Sequence, residues 1–389
     1  MRIGKLHFKN FRGFEDFELD LSENRLAVFV GENGSGKSTV LEGIRLLLTS
    51  LFYRLPVIFE GDDFGTVEFE PELSLTLNDL DKKHFQVNST GDESEILNKV
   101  KYEESFPIFR FFSSNHDSYT LGDNSNSGAK NKLTFLQHSI AFNPSSSKEF
   151  FAWFSYHETI ENEIRLNEDN SYRCPYLEPV RVAIKTFFKE EIIQSFRFSR
   201  ISNTEFIIKQ NNKEFRLEKL SSGTAYLFSL ICNISSLLSV SNQKLENPLE
   251  GEGIVMIDEI DSHLHPKWQE EIVPALLKTF PNIQFLITTH SPHVVRNIQR
   301  EDLFILKDFK LEEGKPYTYA INIEDAVSSI FEQDQYHPVM KKAIREVAGL
   351  IDNEDLEKAK KKIRKLGELV GDNYPEVFRL RNEIDFWEM

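Results

Sequence analysis

The stretch GENGSGKST, residues 31–39, has the composition of a loop that holds the phosphates of a nucleotide. It satisfies the pattern G-x-x-x-x-G-K-[ST] from Gly31 to Ser38, and glycine lets backbone N–H groups approach the phosphates without an intervening side chain. Lys37 would reach the β- and γ-phosphates, and the Ser38 hydroxyl would bind Mg²⁺. The alternative is a flexible glycine turn without a ligand. The other candidate contacts of the loop are Asn33, Gly34, Ser35, Gly36 and Thr39.

Two apolar stretches in the second half of the chain end in side chains that such a loop would need. GIVMI at 253–257 predicts a buried strand followed by Asp258 and Glu259, the metal-side carboxylate and the candidate base for water. NIQFLITTHSP predicts another strand, which delivers His290 to a place where it could contact a γ-phosphate. As an isolated residue, His290 would more often have a structural role.

The stretch EKLSSGTAYLFSL places Ser221, Ser222 and Gly223 at the start of a predicted helix. Their N–H and hydroxyl groups could hold an anion, although the same residues also form an ordinary helix N-cap. The run at 223–241 is the most membrane-like of the sequence, but its Ser and Asn residues predict a buried helix rather than a bilayer span. We therefore expect no membrane contact.

The segments on either side of the phosphate loop have the pattern that it requires. LAVFV at 26–30 is a continuous apolar run, which is typical of a buried parallel strand. The segment after the loop has the period of a helix, so the positive end of that helix would face the phosphates. The predicted apolar face of this helix consists of Val40, Ile44, Leu47, Leu48 and Leu51. These features predict an α/β fold.

The order of NFRGF, GENGSGKST, LSSG, MIDE and TTHS resembles the ATP-binding-cassette (ABC-type) heads of the RecF, Rad50 and SMC group, and HLHP is similar to the AAA-type ATPases of that group. The resemblance covers about residues 1–60 and 215–310. It implies a P-loop NTPase fold with an ABC-type ATPase head that hydrolyses ATP with Mg²⁺. Two features differ. The signature is LSSGT rather than LSGGQ or LSGGE. Asp62 or Asp63 occupies the stretch in which the group usually has a glutamine that couples Mg²⁺ to the second lobe.

Heads of that group dimerise head to tail, with each ATP between the phosphate loop of one chain and the signature of the other. The resemblance implies that Ser222 and Gly223 act from the partner chain. It also implies that Arg12 lies near the nucleotide, for which the alternative is a solvated surface arginine. The residues that it assigns to the first chain are Lys37, Ser38, Asp258, Glu259 and His290.

The 389-residue chain carries 46 basic and 62 acidic side chains, and its net charge of −16 opposes general attraction to nucleic-acid phosphates. Two cysteines, Cys174 and Cys232, and an N-terminal stretch without an apolar signal peptide favour a cytoplasmic location. The spacing of the motifs predicts four segments. They are an ATPase lobe with the phosphate loop at 1–60, a compact helical and mixed insertion at 61–214, a second ATPase lobe at 215–320 and a helical tail at 321–389.

Three stretches in and next to the predicted insertion have patterns that predict a local structure. Residues 120–132 are polar and contain glycine, which predicts a mobile loop. FFAWFSYHETIENEIR predicts an amphipathic helix with an ion pair between Glu161 and Arg165, rather than the zinc site that His157 would begin. Basic residues accumulate among aromatic ones at 185–219, where a solvated, salt-bridged face is favoured over a DNA-contacting groove. A contact with DNA or RNA is left open.

The tail carries two predicted amphipathic helices. The first has an apolar stripe at 3-4-3-4 spacing and ends at Gly371, with Leu356, Ala359, Ile363, Leu366 and Val370 on the stripe. The second begins near Pro375 and has a stripe of Val377, Leu380, Ile384 and Trp387. The chain's own head and another subunit are the two alternatives for what covers these stripes. We expect the second stripe to help hold an oligomer or a nuclease subunit, with Trp387 as an anchor.

The tail as a whole resembles that of ATPase subunits of Septu-type and retron-associated anti-phage systems, commonly called PtuA, which are paired with an HNH nuclease. This likeness implies an ATPase subunit of a bacterial defence complex that controls a separate HNH-type nuclease and assembles as a homodimer or higher homo-oligomer. The alternative is a RecF-like or Rad50-like repair ATPase that clamps DNA. A transporter cassette and a protein that binds ATP only as a structural staple are further alternatives.

Overall fold

The computed structural model describes residues 2–53, 72–76, 84–87, 107–113, 147–199, 205–210, 212–316, 318–319, 338–353, 355–371 and 374–387. Contacts divide the chain into two compact units, Met1–Phe331 and Glu332–Met389. Asp62, Asp63 and the mobile loop predicted at 120–132 lie outside the described residues.

A six-stranded sheet forms the centre of the first unit, in the order β13-β12-β3-β11-β10-β6. Its strands are β3 (Leu26–Val30), β6 (Ile108–Phe112), β10 (Gly253–Ile257), β11 (Ile283–Thr288), β12 (Leu303–Lys307) and β13 (Lys310–Leu311). All neighbours are parallel except β12 and β13, which form a hairpin. Every residue of β3, β10 and β11 is buried, as in parallel strands covered on both faces. The strands predicted from LAVFV, GIVMI and NIQFLIT are therefore confirmed.

Helices and a second sheet cover the two faces of this central sheet. The described residues of the first unit form the helices α1 (Lys37–Tyr53), α2 (Ser147–Asn167), α3 (Glu178–Ile192), α4 (Ser222–Ser241), α5 (Pro266–Thr279) and α6 (Pro292–Val295). Val28 and Val255 belong to one apolar cluster, whereas their neighbours Ala27 and Ile254 belong to another. This division follows from the alternation of side chains along a strand. The predicted α/β fold class is confirmed.

The helix after the phosphate loop has the apolar face predicted from its sequence. α1 buries Val40, Ile44 and Leu48 completely, in the same cluster as Phe29 of β3. This packing fixes the start of α1 against the sheet. The side chains at 47 and 51, the other members of the predicted face, lie outside the described set.

A second, antiparallel sheet of order β2-β1-β4-β5 belongs to the same unit. Its strands are β1 (Arg2–Phe11), β2 (Phe14–Asp20), β4 (Glu72–Thr76) and β5 (His84–Val87). Phe11 pairs with Phe14, which leaves a two-residue turn that contains Arg12. The fully buried Gln284 of β11 joins the two sheets, because its Oε1 accepts from the Ile3 N–H at 2.8 Å and its Nε2 donates to the Ile3 carbonyl at 3.1 Å.

The membrane-like run of the sequence forms α4. Among the described residues, α4 is the one helix long and apolar enough to cross a membrane, and 78% of its apolar window is buried inside the protein. It packs against α3. The prediction of a buried helix is confirmed.

Part of the segment predicted as an insertion belongs to the central sheet. β6 pairs with β10 in parallel, and α3 packs against α4 and α5. Three more strands form an antiparallel sheet of order β7-β8-β9, namely β7 (Ser195–Ser199), β8 (Glu205–Gln210) and β9 (Lys213–Arg216). On that sheet, Arg197 and Glu214 form an ion pair at 3.1 Å. The four-segment division stays a prediction, since the first compact unit runs across the boundaries at 60 and 214.

The amphipathic helix predicted from FFAWFSYHETIENEIR is α2, and its Phe154 is fully buried. The predicted ion pair between Glu161 and Arg165 is wrong. Glu161 is 2% exposed and pairs with Arg181 of α3 at 2.9 Å. Arg165 instead donates from Nε to the Asn170 carbonyl at 3.2 Å. The Glu161 side chain lies on the covered side of α2, where the neighbouring helix supplies its partner.

In the part of the second unit that the structure describes there are three helices, α7 (Pro338–Asp352), α8 (Leu356–Val370) and α9 (Pro375–Trp387). The two helices predicted in the tail are α8 and α9. Gly371, with a φ of 99°, ends α8 as predicted.

The apolar faces of these three helices cover one another. Val377, Leu380 and Ile384 of α9 are at most 2% exposed, in one cluster with residues of α7 and α8. The prediction that this stripe helps hold another subunit is therefore wrong for these three side chains. The apolar faces of α8 and α9 are covered within the tail itself by α7, a helix that was not predicted from the sequence. The side chain of Trp387 lies outside the described set.

Candidate functional site

The phosphate loop leaves β3 at Gly31 and enters α1 at Lys37. Gly31 and Gly36 have φ values of 151° and 104°, which glycine adopts more readily than other residues. A Cβ on Gly31 would lie 2.1 Å from the Leu306 carbonyl oxygen, and one on Gly36 would lie 2.8 Å from the Phe309 ring. The loop is thus packed tightly against the end of β12 and the turn after it.

Lys37 is the buried cation of this loop and is only 4% exposed. Its Nζ donates to the carbonyl oxygens of Gly31 and Glu32 at 3.1 and 2.8 Å. Burial lowers the pKa of Lys37 to about 8, although the nearby carboxylates of Asp258 and Glu259 oppose that shift. A phosphate chain beside this ammonium would stabilise its charged form.

Ser38 and Asp258 are in contact although they are 220 residues apart in the chain. Ser38 Oγ donates to Asp258 Oδ1 at 2.9 Å, and Thr288 Oγ1 donates to the same oxygen at 2.6 Å. A hydroxyl and a carboxylate are hard oxygen ligands of the kind that Mg²⁺ prefers, so Ser38 and Asp258 fit a magnesium site. Sequence reasoning missed Thr288, for which the available signal was a polar residue within an apolar strand.

Glu259 follows Asp258 with a left-handed backbone, at a φ of 50°. Its N–H donates to Thr288 Oγ1 at 2.8 Å, and Ser262 Oγ donates to its Oε2 at 3.1 Å. Positive φ is uncommon for residues other than glycine, and such strained positions concentrate at functional sites. The Thr288 contact holds the backbone, and the Ser262 contact holds the carboxylate through Oε2, so Oε1 could accept a proton from water.

His290 is half-buried just after β11. Burial lowers the pKa of His290, and the charge of Lys37 lowers it further, whereas Asp261 acts in the opposite direction. A lowered pKa keeps the imidazole neutral near pH 7, where it can donate a hydrogen bond without adding charge. The backbone N–H of His290 donates to Asp261 Oδ1 at 3.3 Å, so Asp261 helps to place this residue.

A hydrogen-bond network joins the loops that follow β10 and β11. Gln269 Nε2 donates to the carbonyl oxygens of Asp261 and Leu264 at 3.2 and 3.0 Å. Ser291 Oγ donates to Gln269 Oε1 at 2.7 Å. Sequence reasoning missed Gln269, because its partners come from two separate loops. The network couples the position of the carboxylate loop to that of the histidine loop.

The signature stretch begins α4, as predicted. Ser221 is the N-cap, and its Oγ accepts from the Thr224 N–H at 3.3 Å. Ser222 is exposed, whereas Gly223 is buried against the loop after β10, where a Cβ would lie 2.6 Å from the His263 carbonyl oxygen. No hydrogen bond between described residues joins Ser222 or Gly223 to the phosphate loop. Hydrogen bonds between described residues therefore do not place Ser222 and Gly223 beside Lys37.

The other predicted nucleotide contacts lie on and beside the loop. Arg12 is exposed in the turn between β1 and β2, at a φ of 51°. Within the loop, Asn33 and Gly34 are exposed, Thr39 is half-buried and Ser35 is buried. The exposed residues are accessible to a ligand above the loop.

Curated proteins similar to this chain include two named for bacterial retron and Septu systems. The chain is 28% identical to "Retron Ec83 probable ATPase" of Escherichia coli, in a match that covers 100% of this chain and 88% of that protein. It is 24% identical to "Septu protein PtuA" of Bacillus thuringiensis, over 92% of this chain and 91% of that protein. Among solved structures, the SMC head domain from Thermotoga maritima matches with 17% identity and a TM-score of 0.42, over 79% of this chain and 95% of that one.

A family match covers the phosphate loop and the two loops that follow β10 and β11. Residues 26–296 match the family "AAA domain, putative AbiEii toxin, Type IV TA system". This range contains the phosphate loop, the Asp-Glu pair and His290, and it is well over half of the chain. The chain therefore belongs to this AAA family and is an ATPase with a nucleotide-binding site.

Proposed function

We propose that this ATPase is the ATP-binding and ATP-hydrolysing subunit of a bacterial anti-phage defence complex and that it controls a partner HNH-type nuclease. The observation that supports hydrolysis most directly is the hydrogen bond from Ser38 to Asp258, which joins the phosphate loop to the carboxylate loop. The defence role is supported by the matches to a retron ATPase and a Septu protein, which extend over nearly the full length of both.

In this proposal, Lys37 moves from the carbonyls of Gly31 and Glu32 to the β- and γ-phosphates of ATP. Bound at the oxygens of Ser38 and Asp258, Mg²⁺ would offset the negative charge that develops on the phosphates. Glu259 accepts a proton from the water that attacks the γ-phosphorus, and the bond to the leaving ADP oxygen breaks. His290, neutral through burial, donates a hydrogen bond to the γ-phosphate.

The ATP site is completed in this proposal by a second copy of the chain. Ser222 is exposed at the N-terminus of α4, a 20-residue helix whose positive end would face the γ-phosphate bound by the partner. The backbone N–H groups at the start of α4, including that of Gly223, would donate to the partner's phosphates. The complex would be a homodimer or a higher homo-oligomer of ATPase heads.

We place the complex in the cytoplasm, with the HNH nuclease as a separate subunit. Both Cys174 and Cys232 are free and buried, which suits a reducing compartment. Contact with DNA or RNA stays a prediction for residues 185–219. A repair ATPase of the RecF or Rad50 type has less support, because the near full-length relatives are named for retron and Septu systems.

A phage-restriction assay tests the proposal. The chain is expressed with the product of its neighbouring gene, as the parent, as Lys37→Ala and as Lys278→Ala, which changes an exposed lysine at the end of α5. We expect the parent and Lys278→Ala to reduce plaque formation and to co-purify with the nuclease. Lys37→Ala should lose ATP binding and protection, because it removes the charge that meets the phosphates. Full protection by Lys37→Ala, or no protection by the parent, would contradict the proposal.

A further inference from the structure

We propose that Phe309 is a positioning residue of the ATP site, which holds the phosphate loop and the Arg12 turn in their binding geometry. The inference rests on the proposed function, because it assigns to Phe309 a part in ATP binding. Phe309 belongs to none of the sequence motifs of the site. It lies in the turn between β12 and β13, residues 307–310, which we call the 307–310 turn.

The backbone of the 307–310 turn is unusual. Lys307 pairs with Lys310, so Asp308 and Phe309 form a two-residue hairpin turn. Their φ values are 49° and 58°. A turn with positive φ at both positions ordinarily has Asn-Gly or Asp-Gly, and a bulky side chain there is an outlier. Surrounding contacts must therefore hold Phe309 in place.

Those contacts are with the phosphate loop and the Arg12 turn. The Phe309 N–H donates to the Ser35 carbonyl oxygen at 3.1 Å. Its ring packs edge-on against Phe14, with 5.3 Å between the ring centres. A Cβ on Gly36 would lie 2.8 Å from the ring, and one on Gly13 would lie 2.5 Å from it. The ring thus fills a space that two glycines leave open.

The residues that contact Phe309 lie directly beside two predicted nucleotide-binding residues in the chain. Ser35 and Gly36 directly precede Lys37, and Gly13 directly follows Arg12. One side chain therefore supports both the backbone that delivers the predicted phosphate-binding lysine and the turn that carries the predicted nucleotide-contacting arginine. Removal of the ring would leave the loop free to sample geometries that bind phosphates less well, which weakens binding through lost pre-organisation.

The test compares substitutions at the two residues of the turn in the full chain. Phe309→Gly and Phe309→Asn both accept a left-handed backbone and keep the N–H, but they remove the ring. Asp308→Gly is the matched control, because Asp308 is exposed and has the same left-handed backbone. Phe309→Tyr keeps the ring and should retain parental behaviour. ATP affinity is measured by calorimetry, KM and kcat in a steady-state assay, and folding by thermal unfolding.

We expect Phe309→Gly and Phe309→Asn to raise the Kd and KM for ATP by about tenfold, with Asp308→Gly and Phe309→Tyr within about twofold of the parent. If the turn served only folding, relief of its strain would leave Kd and KM unchanged. Parental ATP affinity in both ring-deleted variants would overturn this inference alone. A parent that binds no ATP would overturn the proposed function as well, so the two failures are distinguishable.

Discussion

The charge state of Lys37 depends on what occupies the phosphate loop. It is held by two backbone carbonyls, and burial lowers its pKa to about 8. Phosphates beside Nζ favour the charged form and would raise that pKa. Above about pH 8 the free protein therefore has to take up a proton on Lys37 when ATP binds.

We predict that ATP affinity falls as pH rises through about 8, by up to about tenfold per pH unit where Lys37 is deprotonated in the free protein. Calorimetry in buffers of different ionisation enthalpy should show proton uptake at about pH 9 and little uptake at about pH 7. Lys37→Arg is the control, because a guanidinium stays charged over this range and should abolish the uptake. Equal proton uptake by the parent and Lys37→Arg would contradict the assignment to Lys37.

At the scale of the secondary-structure elements, α5 connects the two loops that carry Glu259 and His290. Gln269 makes this connection through hydrogen bonds to Asp261, Leu264 and Ser291. Neither the phosphate loop nor Lys37 takes part in it. A defect in this network should therefore appear in hydrolysis rather than in nucleotide binding.

We predict that Gln269→Ala lowers kcat about tenfold or more and leaves the Kd for ATP within about twofold, because it misplaces the base and the histidine without touching the phosphate loop. Gln243→Ala, at an exposed glutamine just after α4, should change neither value. Single-turnover hydrolysis and equilibrium binding separate the two effects. A Gln269→Ala protein with parental kcat would show that the connection has no part in hydrolysis.

Local patterns were sufficient to predict the elements that carry Lys37, Asp258 and His290. Each of these residues comes soon after a continuous apolar strand, so the strand and the residue form one contiguous sequence motif. They were not sufficient for Thr288, Gln269 or Phe309. These side chains act on loops from other parts of the chain. Thr288 has a local signal, as a polar residue within an apolar strand, but no local pattern at any of the three positions identifies the partner loop. The same reason explains the error at Glu161, whose partner Arg181 comes from the next helix.

The prediction that the apolar stripe of α9 contacts another subunit was wrong for a related reason. An amphipathic pattern shows that a face is covered but does not identify the cover. Here α7 and α8 supply it, within the unit Glu332–Met389. Leu380 is fully buried in this cluster, whereas Phe378, two residues earlier on the same helix, is 62% exposed.

We predict that Leu380→Ala destabilises the tail unit by about 2–5 kcal/mol, the usual cost of such a cavity in a core. Phe378→Ala should cost less than about 1 kcal/mol, since that ring is mostly exposed. Hydrogen exchange of α7–α9 in the full chain measures the local effect. Faster exchange throughout the tail only in Leu380→Ala is the expected result. Unchanged exchange in that variant would contradict the packing of the cluster.

At the scale of the whole molecule, the first unit brings ATP-site residues from distant parts of the chain to one edge of a parallel sheet. Asp258 follows β10 and His290 follows β11, next to the loop that leaves β3. Ligands of open α/β sheets bind at the carboxyl ends of the strands, and Asp258 and His290 both lie there. In the proposed function, Glu259 supplies the base for ATP hydrolysis at this edge of the sheet.

The most direct test of this role of Glu259 measures ATP binding and single-turnover hydrolysis by Glu259→Gln, with Glu246→Gln at an exposed position as the control. The amide keeps the shape of the side chain and does not accept the proton. We predict binding within about threefold of the parent and hydrolysis slower by about 10²–10⁴-fold, with Glu246→Gln unchanged. Hydrolysis by Glu259→Gln at the parental rate would contradict the assignment of Glu259 as the base.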